Sequence, residues 1–293
     1  MITNFNRIIS LRFFSNKNGS RGAEYKDIAI KCPAYGRKPS VEISGLMTTD
    51  ECMPSFNVTV KNLYMENISS QYPFVEVEAG YYGKTARFTG TIFYMYTESP
   101  GPEGRTVIQC LMGNCENWLS ATVTLNNLKK GFKLTDAINQ IAISLGMTYK
   151  VSENCKGLVS SEDFQFTGKA KDSLVALKKH FKEPLVIKPN GSVLEINLVG
   201  ESSDLAPILI PCVTTPPQLM GGADNAVIAT IKTFYDPMVK PGTLVSFSSQ
   251  YYSTNMNAST RKAITTMSVT TVNFNFSTTS GPNEMTLMGV IKK

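Results

Sequence analysis

The chain has 293 residues and a formal net charge of +6; 42% of its residues are hydrophobic, 10% are aromatic and 18% are charged. This composition excludes an intrinsically disordered chain, because the aromatic content is sufficient to build a core, and the length accommodates two domains or one large β assembly. No segment approaches the roughly 20 consecutive apolar residues that a membrane-spanning helix requires, so the sequence predicts no membrane insertion. Arg12 interrupts the apolar stretch between residues 7 and 14, and no small-residue cleavage site follows. We therefore expect no secretory signal, and assembly in the cytoplasm.

Residues 1–38 carry much of the positive charge, with eight basic and two acidic residues, and are predicted to form a basic N-terminal arm. Residues 39–125 are acidic overall, with four basic and nine acidic residues. The arm is either an ordinary solvated surface or a segment that docks onto an acidic protein surface, including that of a neighbouring copy. The residues predicted to dock are Arg7, Arg12, Lys17 and Arg21. In the docking interpretation, deletion of residues 1–20 impairs docking and leaves the other domains folded.

The candidate motifs for catalysis and metal binding lack the residues or the spacing that these functions require. The six cysteines are irregularly spaced in a chain without an export signal, so we expect reduced thiols. His180 is the only histidine, whereas a zinc site needs four soft or imidazole ligands, and the lysines around it fit the end of a helix without a catalytic role. Gly83-Lys84-Thr85 resembles the end of a P-loop, but Glu78 occupies the position of the required glycine, and a strand rather than a helix follows. The sequence therefore predicts no enzyme, no cofactor and no metal site. Nucleic-acid binding is also disfavoured, because no run of basic residues is interleaved with aromatic residues.

Alternation of apolar and polar residues marks the segment 39–125. It is clear in Phe56–Val60, Val75–Ala79 and Phe88–Phe93, and glycine-containing turns at 80–83 and 100–104 separate the runs. A period of two is typical of half-buried strands. The segment therefore predicts an antiparallel meander that closes into a small barrel.

The periodicity changes after about residue 130. Apolar residues between Leu134 and Leu145 recur at helical spacing, with Gly146 as the predicted end, and a second helix is predicted from about Lys169 to His180. A hairpin with a Pro189-Asn190-Gly191 turn follows. Residues 126–200 are thus predicted to form an α+β insert.

Alternating strands resume after a proline-rich stretch, so residues 201–293 are predicted to form a second barrel domain. The predicted fold class is a β-rich α+β protein, with two small antiparallel β-barrel domains flanking the α+β insert.

Taken in order, these segments resemble the baseplate hub proteins of contractile phage tails, a family related to the late control D proteins and to the hub portion of secretion-system spikes. Phe56–Leu63 is similar to a family strand that ends in an Asn-Leu turn, and Val75–Gly83 resembles its hairpin with an Ala-Gly-Tyr sequence. Phe88–Ile92 resembles the next strand. The two helices, the Pro-Asn-Gly hairpin and the turns at Asp236-Pro237 and 240–242 then follow in the family's order.

The resemblance covers residues 40–293 and implies a virion structural protein without catalytic residues. It implies two domains related to tail-tube subunits, so that three copies present six such domains and adapt a sixfold tail tube to a threefold spike. The implied partners are further copies in a homotrimer, tail tube proteins, the central spike protein and other baseplate proteins, all in the tail baseplate of the virion. DNA would pass through the channel of the ring without specific binding, and acidic side chains would rim the channel because they repel the DNA backbone. The predicted channel-facing acids are Glu76, Glu78, Glu98 and Glu103.

The alternative is a β-rich surface-binding module that recognises carbohydrate or protein through exposed aromatic residues. Candidates are the pairs Tyr81-Tyr82 and Tyr251-Tyr252 and the single tryptophan, Trp118. Packing in a core or an interface is the simpler role for these residues. A binding module would be a stable monomer, whereas a hub would trimerise.

Overall fold

The fold is taken from a computed structural model, which describes residues 7–15, 25–31, 40–49, 53–61, 72–81, 84–98, 104–113, 117–181, 183, 185–190, 192–198, 206–210, 213–221, 227–247, 265–278 and 283–291.

The described residues of the first β half form seven strands, which pair antiparallel in the spatial order β3-β4-β7-β6-β5-β1-β2. Apolar and polar positions alternate along most of them, so that one face of the sheet is buried and the other faces outward. The strands are β1 (Arg7–Phe14), β2 (Tyr25–Lys31), β3 (Val41–Thr48), β4 (Ser55–Lys61), β5 (Phe74–Tyr81), β6 (Lys84–Glu98) and β7 (Arg105–Met112).

The insert contains two small sheets and three helices around a core of its own. β8 and β10 form one sheet; β11, β12 and β9 form the other, in which β12 and β9 are parallel. The elements are β8 (Thr122–Leu128), α1 (Leu134–Leu145), β9 (Thr148–Val151), α2 (Glu153–Lys156), β10 (Phe164–Lys169), α3 (Ala170–Phe181), β11 (Leu185–Asn190) and β12 (Val193–Leu198).

Local sequence signals fix the ends of the first helix in the insert. The Asp136 carboxylate accepts a hydrogen bond from the Lys133 backbone N–H at 3.3 Å, which satisfies a donor at the start of α1. Gly146, with φ of 68°, adopts the left-handed conformation that ends it. Both predicted helices and the predicted hairpin are confirmed within a residue or two.

In the second β half, the residues that the structure describes form six strands. Four of them pair antiparallel in the order β14-β15-β18-β17, while β16 lies beside the start of β17 and β13 runs parallel to β16. The strands are β13 (Ile208–Ile210), β14 (Gln218–Gly221), β15 (Val227–Phe234), β16 (Leu244–Phe247), β17 (Thr265–Ser277) and β18 (Glu284–Ile291).

The two β halves form one continuous sheet. β17 and β3 pair antiparallel over seven residues, from Thr271 opposite Thr48 to Ser277 opposite Glu42, and we call this pairing the seam. One core runs beneath both halves and contains fully buried side chains from each, such as Val58 and Val272. The β-rich α+β class, with antiparallel β halves on either side of an α+β insert, is confirmed.

Two predicted boundaries differ from the observed elements. β1 lies within the predicted arm, yet it pairs with β5 over eight residues, and Ile9, Leu11 and Phe13 are at most 1% exposed. The predicted arm at residues 7–14 is therefore corrected to a strand of the sheet. The alternating apolar residues of this segment lie in the core, and its charged residues lie between the apolar ones in the sequence. β8 crosses the predicted boundary at residue 125 and pairs with β10 of the insert.

Among the described residues, no helix has both the length and the apolar character needed to cross a membrane.

Candidate assembly surface

The continuous sheet has one face opposite the core, which we call the outer face. Its centre is a row of uncharged polar side chains placed opposite one another by the strand register across four adjacent strands. The row consists of Gln109, Asn57, Ser44 and Asn275. It crosses the seam, so both β halves contribute to one polar surface.

Charges near this row occur as ion pairs between neighbouring strands. Lys61 Nζ lies 3.0 Å from Glu42 Oε1, and Lys232 is paired with Glu284. Pairs as exposed as Lys61–Glu42 contribute little to stability, but each cancels the local charge. These two ion pairs therefore leave no net charge beside the neutral centre of the outer face.

The predicted channel-facing acids of β5 are on this outer face, beside an arginine of β6. Arg87 Nη2 lies 3.2 Å from Glu78 Oε2, and Arg87 Nε lies 3.9 Å from Glu76 Oε1. Thr85 Oγ1 also donates a hydrogen bond to Glu78 Oε1 at 3.1 Å. Cross-strand ion pairs with Arg87 thus neutralise part of the net negative charge of residues 39–125.

The other two predicted acids lie near the β6–β7 turn. Glu98 is the last residue of β6 and is paired with Arg105, the first residue of β7. Glu103 lies outside the described residues. The position of these acids relative to a channel stays a prediction.

The predicted docking residues are only partly described. Arg7 and Arg12 belong to β1, and Arg12 is exposed opposite Glu76 in the strand register. Lys17 and Arg21 lie outside the described residues. The described basic residues are therefore part of the sheet, where Arg12 adds a positive charge to the outer face.

The aromatic residues on the surface differ from those that the sequence analysis singled out. Trp118 is 4% exposed and packs in the core of the insert, which removes it as a ligand-binding residue. Tyr82, Tyr251 and Tyr252 lie outside the described residues, as does the Tyr81 side chain. Within the described part of the chain, the most exposed aromatics are instead Phe93 and Tyr94, at 48% and 56%, beside a bulge in β6. The run Ile92-Phe93-Tyr94-Met95 breaks the period of two, which is the sequence signal of this bulge.

His180, the only histidine, has packing and hydrogen-bonding partners in the insert. Its ring lies 4.8 Å from that of Phe164 and 5.9 Å from that of Phe132, measured between centroids. Its Nε2 is 2.7 Å from the Oγ of Ser160, a side chain that is 5% exposed and also donates to Glu162 O at 2.6 Å. The hydrogen bond to Ser160 connects the end of α3 to the loop before β10, and the aromatic contacts pack the His180 ring against Phe132 and Phe164.

Two of the six cysteines, Cys110 and Cys155, are described, and both are buried thiols outside any disulfide. Burial raises the pKa of the Cys110 thiol. A raised pKa keeps the thiol protonated and unreactive, which suits a packing role in the core.

A cleft of about 870 Å³ separates the insert from the strand ends of the main sheet. Lys188 of β11 crosses it: its Nζ donates to Pro241 O at 2.8 Å and lies 3.2 Å from Glu195 Oε2. Burial acts to raise the pKa of Glu195, but the hydrogen bond from Asn190 and the Lys188 ammonium outweigh burial and hold that pKa below its ordinary value. Lys188 thus connects the insert to the second β half through its hydrogen bond to Pro241 O, while the partly buried ion pair with Glu195 lies within the insert.

Comparison of the sequence with protein-family models and with curated proteins finds no match. Similar solved structures exist, although their sequence identity to the chain is low. A tail protein from Neisseria meningitidis MC58 matches with a TM-score of 0.63 at 10% identity, over 99% of this chain and 97% of that one. The 43 kDa tail protein of prophage MuSo2 from Shewanella oneidensis matches with a TM-score of 0.60 at 9% identity, over 97% and 96% of the two chains.

A third similar structure comes from a secretion system. The E. coli c3393 protein, a component of the type VI secretion system with structural similarity to the T4 bacteriophage tail proteins gp27 and gp5, matches with a TM-score of 0.55 at 9% identity. The match covers 88% of this chain and 76% of that one. At these identities the likeness concerns the fold. The chain therefore has the fold of phage tail proteins and of this secretion-system component, as its resemblance to the baseplate hub family predicts.

Proposed function

We propose that the protein is a structural hub of a phage tail baseplate and forms a trimeric ring between the sixfold tail tube and the threefold central spike. The observation that carries this proposal is the seam, which joins two β halves of one chain into a single sheet with a common outer face. A chain with two fused β halves supplies two wall segments, so three copies supply the six that a sixfold tube requires. The match to two tail proteins over nearly their whole length supports the same role.

The outer face is suited to line the channel for DNA. A wall that bound phosphates through free basic side chains would release counterions, hold DNA tightly and hinder its passage. The row of Gln109, Asn57, Ser44 and Asn275 carries no charge, and the nearby charges are paired. We therefore expect a neutral, hydrated wall, with the predicted channel-facing acids Glu76, Glu78, Glu98 and Glu103 at its rim.

The remaining partners follow from this position in the virion tail. The two ends of the ring would contact tail tube proteins and the central spike protein, and its outside would contact other baseplate proteins. DNA would be a passing molecule without specific contacts.

We also propose that the chain has no catalytic activity, and His180→Gln tests this. The observed contacts of His180 are aromatic packing and a hydrogen bond to Ser160, both of which serve the fold. Glutamine keeps a polar group within reach of Ser160, so we expect a loss of about 1 kcal/mol in stability and unchanged particle assembly and infectivity. A variant that is folded by circular dichroism but yields non-infectious particles would indicate a chemical role for the imidazole.

The experiment that tests the ring is the mass of the purified chain by light scattering over a range of concentrations. We expect a particle of three times the 32.2 kDa of one chain. A monomer at every concentration, with affinity for a glycan or protein ligand, would favour the surface-binding alternative and contradict the hub.

A further inference from the structure

The insert and the β halves are built around separate cores. The buried side chains of the two β halves form one cluster and those of the insert form another, and no residue is common to both. The insert contacts the first β half through apolar side chains: Met53, just before β4, is 8% exposed within the core of the insert, and Leu111 of β7 packs against the same core. Apolar contacts are not directional, so they hold the insert in place without fixing its angle.

Towards the second β half, the insert presents a polar face of its three-stranded sheet. The register of β11, β12 and β9 places Lys188, Glu195 and Lys150 side by side in one row, and all three line the cleft of about 870 Å³. Close-packed protein contacts leave no space of this size, so the described residues of the insert and of the second β half do not pack closely here. Domains joined through a loose polar interface are expected to move relative to one another.

A turn of the second β half, residues 240–243, receives the Lys188 side chain, and we call this turn the seat. Gly242 N donates to Val269 O at 2.7 Å, which fixes the seat on β17, and Pro241 O accepts the hydrogen bond from Lys188 Nζ. Gly242 has a φ of 89°, and a Cβ atom added there would lie 3.0 Å from Lys188 Nζ. Glycine thus supplies both the turn conformation and the room for the ammonium group.

The insert holds the Lys188 side chain in position from the other side. Glu195 Oε2 lies 3.2 Å from Lys188 Nζ, and Glu195 Oε1 accepts a hydrogen bond from Asn190 Nδ2 at 2.8 Å. The Lys188 side chain is only 16% exposed as a result. Hydrogen bonds from a charged donor are stronger than neutral ones and require a defined geometry. The contact between Lys188 and the seat is therefore able to fix the angle that the apolar contact at Met53 leaves open.

We propose that Lys188 is a latch that holds the insert closed on the second β half, and that its release lets the insert turn about Met53. Release breaks the hydrogen bond to Pro241 O, whereas the ion pair with Glu195 stays within the insert and moves with it. The ammonium group therefore keeps its counter-ion in the open position, and neither core has to unfold. This device belongs to the single chain, so it does not depend on the formation of a ring.

The first test compares the reactivity of two lysines of the same row towards an acylating reagent, with the sites quantified by mass spectrometry. Lys150 is exposed, whereas Lys188 must leave the seat before its amine reacts, so we expect Lys188 to react at least about tenfold more slowly. Gly242→Ala places a methyl group in the seat and should bring the Lys188 rate close to that of Lys150. Gly131→Ala is the matched control, because Gly131 also has a positive φ, of 94°, but nothing lies within 4 Å of an added Cβ.

The second test measures the movement itself by the distance between two spin labels. The labels are attached to Ile143→Cys on α1 and to Met238→Cys before β16, positions that are 69% and 70% exposed. Labelled chains are diluted with unlabelled ones, so that distances between copies do not contribute. The four cysteines outside the described residues are first replaced by serine; they are Cys32, Cys52, Cys115 and Cys212.

Lys188→Met keeps the length of the side chain but removes the ammonium group. We expect the fraction of chains with distances other than the main one to rise about tenfold or more, because a hydrogen bond from a charged group is lost. Lys150→Met is the matched control and should leave the distances unchanged. Trp118, buried in the core of the insert, should keep its fluorescence in both variants, since the insert is expected to move without unfolding.

Each contrary outcome would overturn the latch. Equal rates for Lys188 and Lys150 in the wild-type chain would mean that the seat does not hold the ammonium group. Unchanged distances in a folded Lys188→Met chain, or an equal change in Lys150→Met, would mean that Lys188 does not set the angle of the insert. Exposure of Trp118 in Lys188→Met would show that Lys188 stabilises the core of the insert instead. A monomeric wild-type chain would overturn the proposed ring alone.

Discussion

Gly45→Val is expected to destabilise the protein by about 3 kcal/mol, the upper end of the range for overpacking a buried site. Gly45 lies on β3 directly opposite Phe274 of β17, and the Phe274 ring covers the glycine. A Cβ atom at this position would lie 2.1 Å from Cζ of Phe274. Phe274 is 3% exposed and also contacts Phe88, Tyr235 and Phe276, so its ring has little room to move. The measurement is urea unfolding followed by circular dichroism.

Ser44→Val is the matched control for this prediction. Ser44 precedes Gly45 on the same strand, but it is exposed on the outer face. A β-branched residue suits a strand, so we expect a change within about 0.5 kcal/mol. Equal stabilities of the two variants would show that the ring of Phe274 moves away without cost and that the seam is loosely packed.

The position of this variant also tests whether the two β halves unfold together. Because the seam joins the halves over a shared core, wild-type unfolding is expected to be a single transition for the β part. Weakening the seam should separate that transition into two steps before it abolishes folding.

Local periodicity was sufficient to predict the two longer helices and many of the strands, but not β1, which the sequence analysis placed in the arm. The alternation in Val75–Ala79 became β5, and the helical spacing from Leu134 to Leu145 became α1 with Gly146 at its end. These signals are local because each is set by the geometry of a few consecutive residues. The resemblance then supplied the arrangement of the elements, and the fold of solved tail proteins agrees with it.

The seam could not be predicted from such signals. It pairs Thr48 with Thr271, which are more than 200 residues apart, and nothing in either strand identifies its partner. The register of β5 and β6 could not be predicted from local signals either. It places Glu78 opposite Arg87, so a count of acidic residues along the chain overstated the local negative charge. Pairing, rather than composition, sets the electrostatics of the outer face.

The uncharged surface of the candidate site was partly visible in the sequence. Serine, threonine and asparagine are frequent at the polar positions of the strands, as at Ser44, Asn57 and Asn275. The exposure of Phe93 and Tyr94 was not predicted, because it depends on where β5 ends relative to β6.

Deletion of residues 1–14 is expected to prevent the first β half from folding. The change removes β1, which lies between β2 and β5 in the sheet and places Ile9, Leu11 and Phe13 in the core. Truncation of one such buried side chain to alanine typically costs about 2–5 kcal/mol, so the loss of all three approaches or exceeds the roughly 5–15 kcal/mol that stabilises a typical domain. We expect insoluble protein or a loss of strand signal in circular dichroism.

Point variants separate this role from docking by a basic arm. Leu11→Ala should lower the free energy of unfolding by about 2–5 kcal/mol, because Leu11 is 1% exposed in the core. Ser10→Ala, next to it on the outer face, should change stability by about 0.5 kcal/mol or less. If the truncated chain instead folds with wild-type stability and fails only to form the ring, β1 contributes little to the core and residues 1–14 act as the docking arm that their charge suggests.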